Sequence, residues 1–169
     1  MFKNVIYIVA VINIAHLPCA QASWKTTTEE DIFTSGKKAM MTGEIANSHQ
    51  YLIFDCTKSK LSLSHVEIDP ATVISTPLPY KALVKTNDNS LITFDTVLSR
   101  RNASEIQLTS KETDKIKTLL KQLSSQPSTS DFLVSVIDKN GNQVSSGSGS
   151  VSFAKKAIKK FMATCDIVW

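Results

Sequence analysis

The side chains that could act as a base lie in the first half of the chain, around His65. Asp55 and Asp69 flank this histidine in sequence, and serines are frequent throughout. A hydrolase of the common serine type presents its nucleophile on a G-x-S-x-G turn, and this sequence has none. A small cell-wall or lipid hydrolase with His65 as its base therefore stays the weakest alternative, and we predict no catalytic residue.

Two serines stand three residues before a lysine, the S-x-x-K spacing of penicillin-binding enzymes. The pairs are Ser35 with Lys38 and Ser152 with Lys155. The K-T-G motif that accompanies this spacing is missing, and the chain is far shorter than that fold. We interpret Ser152 as the residue that caps the last helix.

Metal and phosphate chemistry find little support in the sequence. His49 and His65 fit no known ligand spacing, and Cys56 stands between them. The glycine and lysines near residue 36 lack the spacing of a phosphate-binding loop. The acidic run of Glu29, Glu30 and Asp31 is typical of a solvated turn. We therefore expect no metal and no cofactor.

The strongest non-catalytic candidate is a stripe of cations near the end of the chain. Four lysines fall on one side of the predicted last helix, opposite its apolar residues: Lys155, Lys156, Lys159 and Lys160. They could meet an anionic lipid surface, peptidoglycan or an acidic protein, or they could simply face water near a helix C-terminus. Trp24 and Trp169 either dock into the core or anchor a partner, and we add Trp169 to the candidate partner-binding residues.

The beginning of the chain has the pattern of a secretory signal. Lys3 precedes an apolar run over residues 5–15, and Ala20, Gln21 and Ala22 form an A-x-A cleavage pattern. We predict cleavage after Ala22, which leaves one exported domain over residues 23–169 in the periplasm with no transmembrane span. A retained anchor and lipidation at Cys19 are the alternatives.

Export decides how the cysteines are interpreted. Of the three cysteines, Cys19 leaves with the signal, and Cys56 and Cys165 remain. Two cysteines in an exported chain most often pair, so we predict a disulfide between a strand and the last helix. Reactive thiols are the alternative, although no C-x-x-C spacing supports them. The formal net charge of +4 is too small to indicate a nucleic-acid binder.

The elements that must position these residues alternate short strands with two helical segments. We predict an α+β fold, an antiparallel sheet or sandwich of about seven to nine strands with two amphipathic helices. Thr109 and Glu112 have the spacing of a capping box for the first helix. The small residues within 143–151 predict a weak edge strand.

One predicted strand, over residues 61–69, changes the phase of its apolar positions. Leu61 and Leu63 share one face, whereas Val66 and Ile68 share the other. An uninterrupted strand keeps its phase, so this pattern predicts either a bulge near Ser64 and His65 or burial on both faces.

The order of these segments resembles two families of small exported proteins. Trp24 follows the signal, "LIFDC" ends in Cys56, and "SFAKKAIKKFMATC" carries Phe153, Ala157 and Cys165. This layout looks most like the periplasmic accessory proteins of bacterial type VI secretion and, more loosely, is similar to the invasion-associated locus B family. The resemblance implies a Cys56–Cys165 pair, a sandwich-like α+β domain and a non-enzymatic role. The chain departs from both families by having "VSF" in place of glycine before the last helix.

These observations favour an exported, non-catalytic accessory or binding protein of the cell envelope, whose partner is an envelope protein or a cell-wall component. An inhibitor or immunity protein against an envelope hydrolase such as lysozyme is the first alternative. It would use an exposed loop at residues 70–79 or 124–130, both rich in residues typical of turns.

Overall fold

The structure, a computed structural model, describes residues 24–31, 36–46, 48–57, 60–86 and 90–168. The predicted signal at residues 1–22 lies outside this part of the chain. Nine strands and two helices follow in the order β1 (Lys25–Asp31), β2 (Gly36–Ile45), β3 (Gln50–Thr57), β4 (Lys60–Ile68), β5 (Leu78–Thr86), β6 (Leu91–Arg100), β7 (Glu105–Ser110), α1 (Thr113–Ser125), β8 (Asp131–Ile137), β9 (Gln143–Ser150) and α2 (Ala154–Thr164). The predicted α+β fold is confirmed.

All nine strands belong to one antiparallel sheet with the order β1-β2-β3-β4-β7-β6-β5-β8-β9. The sheet curls until its two ends meet. The backbone N–H of Ala46, just after β2, donates to the carbonyl of Ser148 in β9 over 2.7 Å. Two residues further along, at the last residue of β9, the indole N–H of Trp24 donates to the carbonyl of Ser150 over 2.8 Å. The curl gives the sheet a concave face on which the core assembles.

The main core lies between this concave face and the two helices. In α1 the predicted stripe is buried: Ile116, Leu119, Leu120 and Leu123. The ring of Trp24 lies 5.9 Å from that of Phe54 and 5.4 Å from that of Phe132, measured between centroids. Phe161 of α2 packs edge-on against Phe54. Trp24 is therefore a core residue and not a surface anchor.

The predicted disulfide is confirmed. Cys56 near the end of β3 is bonded to Cys165 directly after α2, with an S–S distance of 2.02 Å and a sequence separation of 109. Both cysteines are buried in the main core. The bond therefore ties the last helix to the sheet from within the core.

β4 is buried on both faces, and its pairing runs without a register shift. Its concave face carries Leu61, Leu63 and His65, whereas Ser64 and Val66 are buried on the convex face. Arg101, just after β6, bonds to Asp55 on β3 over 3.2 Å, and so crosses the two strands that lie between them. Of the two explanations for the phase change, burial on both faces is correct.

The predicted cap of α1 is wrong. Thr109 lies within β7, and α1 begins at Thr113 with no side-chain cap. Glu112 instead accepts a hydrogen bond from the backbone N–H of Asp95 and pairs with Lys115 at 2.7 Å. The first of these contacts ties the start of α1 to β6, so a bond to a distant strand replaces the local bond that the capping-box spacing predicts.

β9 is an edge strand in the hydrogen-bonding order, as predicted, and its small residues have a packing role. A Cβ at Gly149 would fall 2.5 Å from the ring of Phe132 and would also overlap the backbone carbonyl of Glu44. A Cβ at Gly147 would overlap the side chain of Ile45. Glycine here lets the last strand approach β2 closely, and this contact closes the curl of the sheet.

We expect Gly149→Ala to lower the free energy of unfolding by about 1–3 kcal/mol, because the added methyl meets a fixed backbone atom and a buried ring. Urea denaturation of the variant and the wild type measures this loss. Ser146→Ala is the matched control, because Ser146 is an exposed position of the same strand. An equal loss in both variants would contradict the close approach of β9 to β2.

Candidate functional site

The four lysines predicted as a stripe do share the exposed side of α2. Lys155, Lys156, Lys159 and Lys160 are exposed, while Ala154, Ala157, Ile158, Phe161 and Met162 are buried on the other side. None of the four lysines forms an ion pair with a described residue. Lys160 donates to the backbone carbonyl of Thr26 over 3.2 Å, which fixes this end of the face against β1. We call these four side chains together with Phe153 the α2 surface.

Phe153 stands directly before α2 in an unusual conformation. Its φ of 64° lies in the left-handed region, and no side-chain hydrogen bond caps the helix there. Its side chain is 58% exposed. A non-glycine residue in this region is strained by roughly 1–2 kcal/mol. The sequence shows an aromatic residue before the last helix, but it does not show this left-handed conformation.

Ser152 does not cap α2, so that prediction is wrong, and it shows no nucleophile geometry with Lys155. The N-cap position of α2 is Phe153, and no side chain caps the helix. The backbone N–H of Ser152 donates to the hydroxyl of Ser150 over 3.1 Å. Lys155 is exposed on the α2 surface. Ser35, the first residue of the other S-x-x-K pair, lies outside the described residues.

A groove of about 600 Å³ runs beside the α2 surface, between the end of α1 and the chain that follows α2. Ile158, Met162 and Ile167 form its apolar lining, and Lys155 and Lys159 stand beside them. Val168 is 74% exposed at its end. Trp169, predicted to bind a partner, is the next residue in the chain and lies outside the described residues.

The structure does not bring His65 together with the aspartates that flank it in sequence. His65 is buried, and burial lowers its pKa to about 4. Asp55 pairs with Arg101, and Asp69 accepts a hydrogen bond from the hydroxyl of Thr72, which lowers the pKa of Asp69. No hydrogen bond orients the imidazole towards either carboxylate, so the hydrolase alternative lacks its expected geometry.

The remaining candidate ligands are also separated. His49 is exposed in the turn before β3, and Cys56 is held in the disulfide. The acidic run is not a turn, because β1 continues through Glu29 and Glu30 to Asp31 and pairs with β2. Glu29 there forms an exposed ion pair with Lys38 at 3.3 Å. That prediction was wrong because strand pairing outweighed the local charge pattern.

The fold and site define the chain as a disulfide-linked α+β domain with an exposed cationic helix. No protein-family model matches it, and neither a curated protein nor a solved structure is significantly similar to it. Within the described residues, no helix has the length and apolar character needed to cross a membrane.

Proposed function

We propose that this chain is an exported, non-catalytic binding protein of the bacterial envelope. Its α2 surface would recognise an acidic surface of an envelope protein. The predicted signal supports export, and the disulfide supports an oxidising compartment. A role as an accessory protein of type VI secretion, which the resemblance implies, stays a prediction.

The observation that carries this proposal is Phe153, which is exposed and strained directly before the helix that carries the four lysines. A phenylalanine that is 58% exposed gains little from burial in its own domain, yet its backbone is held in a left-handed conformation. Such strain tends to be kept where it serves a function. Aromatic residues are enriched at protein interfaces, and surrounding cations select an acidic partner.

Among the described residues, no catalytic group is assembled around His65, which favours binding over turnover. His65 is the one candidate base, and the low pKa keeps its buried imidazole neutral near pH 7. Neither Asp55 nor Asp69 orients it. A nucleophile activated by this histidine would need such an orientation.

The α2 surface is tested by neutralising its three lysines that make no described polar contact, Lys155, Lys156 and Lys159, to glutamine. We expect capture of the dominant partner, by crosslinking from the native envelope, to fall about tenfold, because three charge pairs of modest strength are lost. The control replaces three exposed lysines elsewhere by glutamine, namely Lys81, Lys111 and Lys139. The control should retain capture.

A second arm replaces the strained residue itself. We expect Phe153→Gly to stay within about 1 kcal/mol of the wild type in stability, because relief of the strain offsets the lost contacts. Capture should nevertheless fall as it does for the lysine variant. Equal losses in the lysine variant and its control would overturn the proposal.

The identity of the captured protein decides between the binding alternatives. A cell-wall hydrolase held in a one-to-one complex would make the chain an inhibitor, whereas a secretion component would make it an accessory protein. A third outcome is that no protein is captured and that phosphatidylglycerol vesicles bind the domain through the α2 lysines. The surface then contacts lipid, and the proposal of a protein partner is wrong.

A further inference from the structure

A second site lies on the concave face of the sheet, apart from the α2 surface. Phe94 of β6 belongs to the main core, and four residues further along the same face Leu98 begins a separate apolar cluster with Leu108 and Val136. A cavity of about 230 Å³ is lined by this cluster together with Tyr80 and Ile106. The apolar lining and small volume suit one compact molecule.

Among the residues that line the cavity, one ring nitrogen is buried without a partner. His65 is among its lining residues and is only 3% exposed. Its Nε2 is buried and makes no hydrogen bond with any described residue. A buried nitrogen of this kind costs free energy unless something bonds to it, so a molecule that supplied the missing hydrogen bond would be favoured.

We propose that this cavity binds a small uncharged molecule with a single-ring apolar body and one hydroxyl group, and that the hydroxyl hydrogen-bonds to Nε2 of His65. The inference does not depend on the proposed function of the α2 surface. A known apolar cavity of about 150 Å³ holds benzene, so a cavity of about 230 Å³ has room for a ring and a few further atoms.

Two observations exclude an anion, and the cost of burying a charge against the apolar residues of the lining disfavours a cation. Burial alone lowers the pKa of His65, so the imidazole is neutral near pH 7 and offers no countercharge to an acid. Glu67 also lines the cavity, and its carboxylate would repel an anion. A hydroxyl both donates and accepts, and therefore pairs with Nε2 in either tautomer of the neutral ring.

The test compares 4-methylphenol with 1,4-dimethylbenzene, two probes of nearly equal shape that differ in the hydroxyl. Both are titrated into the exported domain, and binding is followed by the methyl NMR signals of Leu98, Leu108 and Val136. We expect these signals to move with both probes. In His65→Leu, we expect the preference for the phenol over the hydrocarbon to fall about tenfold.

A measurement on the wild type keeps the proposal testable if His65→Leu does not fold. The imidazole ¹⁵N signal of Nε2 should shift when 4-methylphenol binds. Its shift on binding of 1,4-dimethylbenzene should be much smaller. No methyl shifts with either probe would overturn the proposal. An unchanged preference in His65→Leu, or equal Nε2 shifts with both probes, would also overturn it.

Discussion

Removing the Cys56–Cys165 disulfide is expected to lower the free energy of unfolding by about 4–5 kcal/mol, the largest loss we expect from any change of two side chains. The bond joins residues 109 positions apart, so it closes a loop over most of the described chain. A loop of this length strongly restricts the unfolded chain, and its removal returns that conformational freedom. The measurement is urea denaturation of Cys56→Ala/Cys165→Ala against the oxidised wild type.

The reduced wild type is the matched control for this experiment. It keeps both cysteine side chains in the core but lacks the bond, so it should agree with the double variant to within about 1 kcal/mol after the small loss of packed volume is allowed for. A difference of less than about 1 kcal/mol between the oxidised and reduced wild type would show that the bond does not restrict the unfolded chain.

The disulfide illustrates which features the sequence predicts well. Its pairing followed from a compartment and a count of cysteines, and needed no knowledge of the sheet. The buried stripe of α1 followed from local periodicity in the same way, since Ile116, Leu119 and Leu120 recur on one side of any helix. Features that depend on residues close in sequence, or on the tendency of two exported cysteines to form a disulfide, were therefore predictable.

Features that depend on distant contacts were not predictable. The predicted cap of α1 failed because Glu112 bonds to Asp95 on another strand, and no local pattern contains that contact. The small residues of β9 indicated weakness, whereas Gly149 permits close packing against Glu44, which is far away in sequence. The cavity around His65 likewise brings together residues of β4, β5, β6, β7 and β8, which are neighbours only in the folded sheet.

Lowering the pH from 7 to 4 is expected to destabilise the wild type by about 3 kcal/mol through His65 alone. In the folded protein, burial lowers the pKa of His65 to about 4, from 6.5 for the exposed side chain. As the pH falls below 6.5, His65 becomes protonated in the unfolded chain but stays neutral in the folded protein. The contribution of the neutral His65 to stability is therefore fully present above about pH 6.5 and is lost progressively down to about pH 4.

The contribution of His65 is separated from that of the carboxylates by comparing variants across this range. The pKa of Asp69, Glu112 and Asp138 is also lowered, by hydrogen bonds from Thr72, Lys115 and Asn142 respectively, so acid weakens every variant that keeps them. His65→Leu should lose about 3 kcal/mol less than the wild type between pH 7 and 4. His49→Gln, which removes an exposed imidazole, should follow the wild type.

The same titration bears on the state of the cavity that His65 lines. Glu67 and Tyr80 are the other titratable groups in its lining, and burial is the one cause that lowers the pKa of His65. If wild type and His65→Leu lose stability in parallel, the imidazole has the same pKa in the folded and the unfolded protein. Water in the cavity would then hydrate the ring. If their curves diverge below pH 6.5, the ring is neutral and dry, the condition under which an unpartnered Nε2 favours a hydroxyl over water.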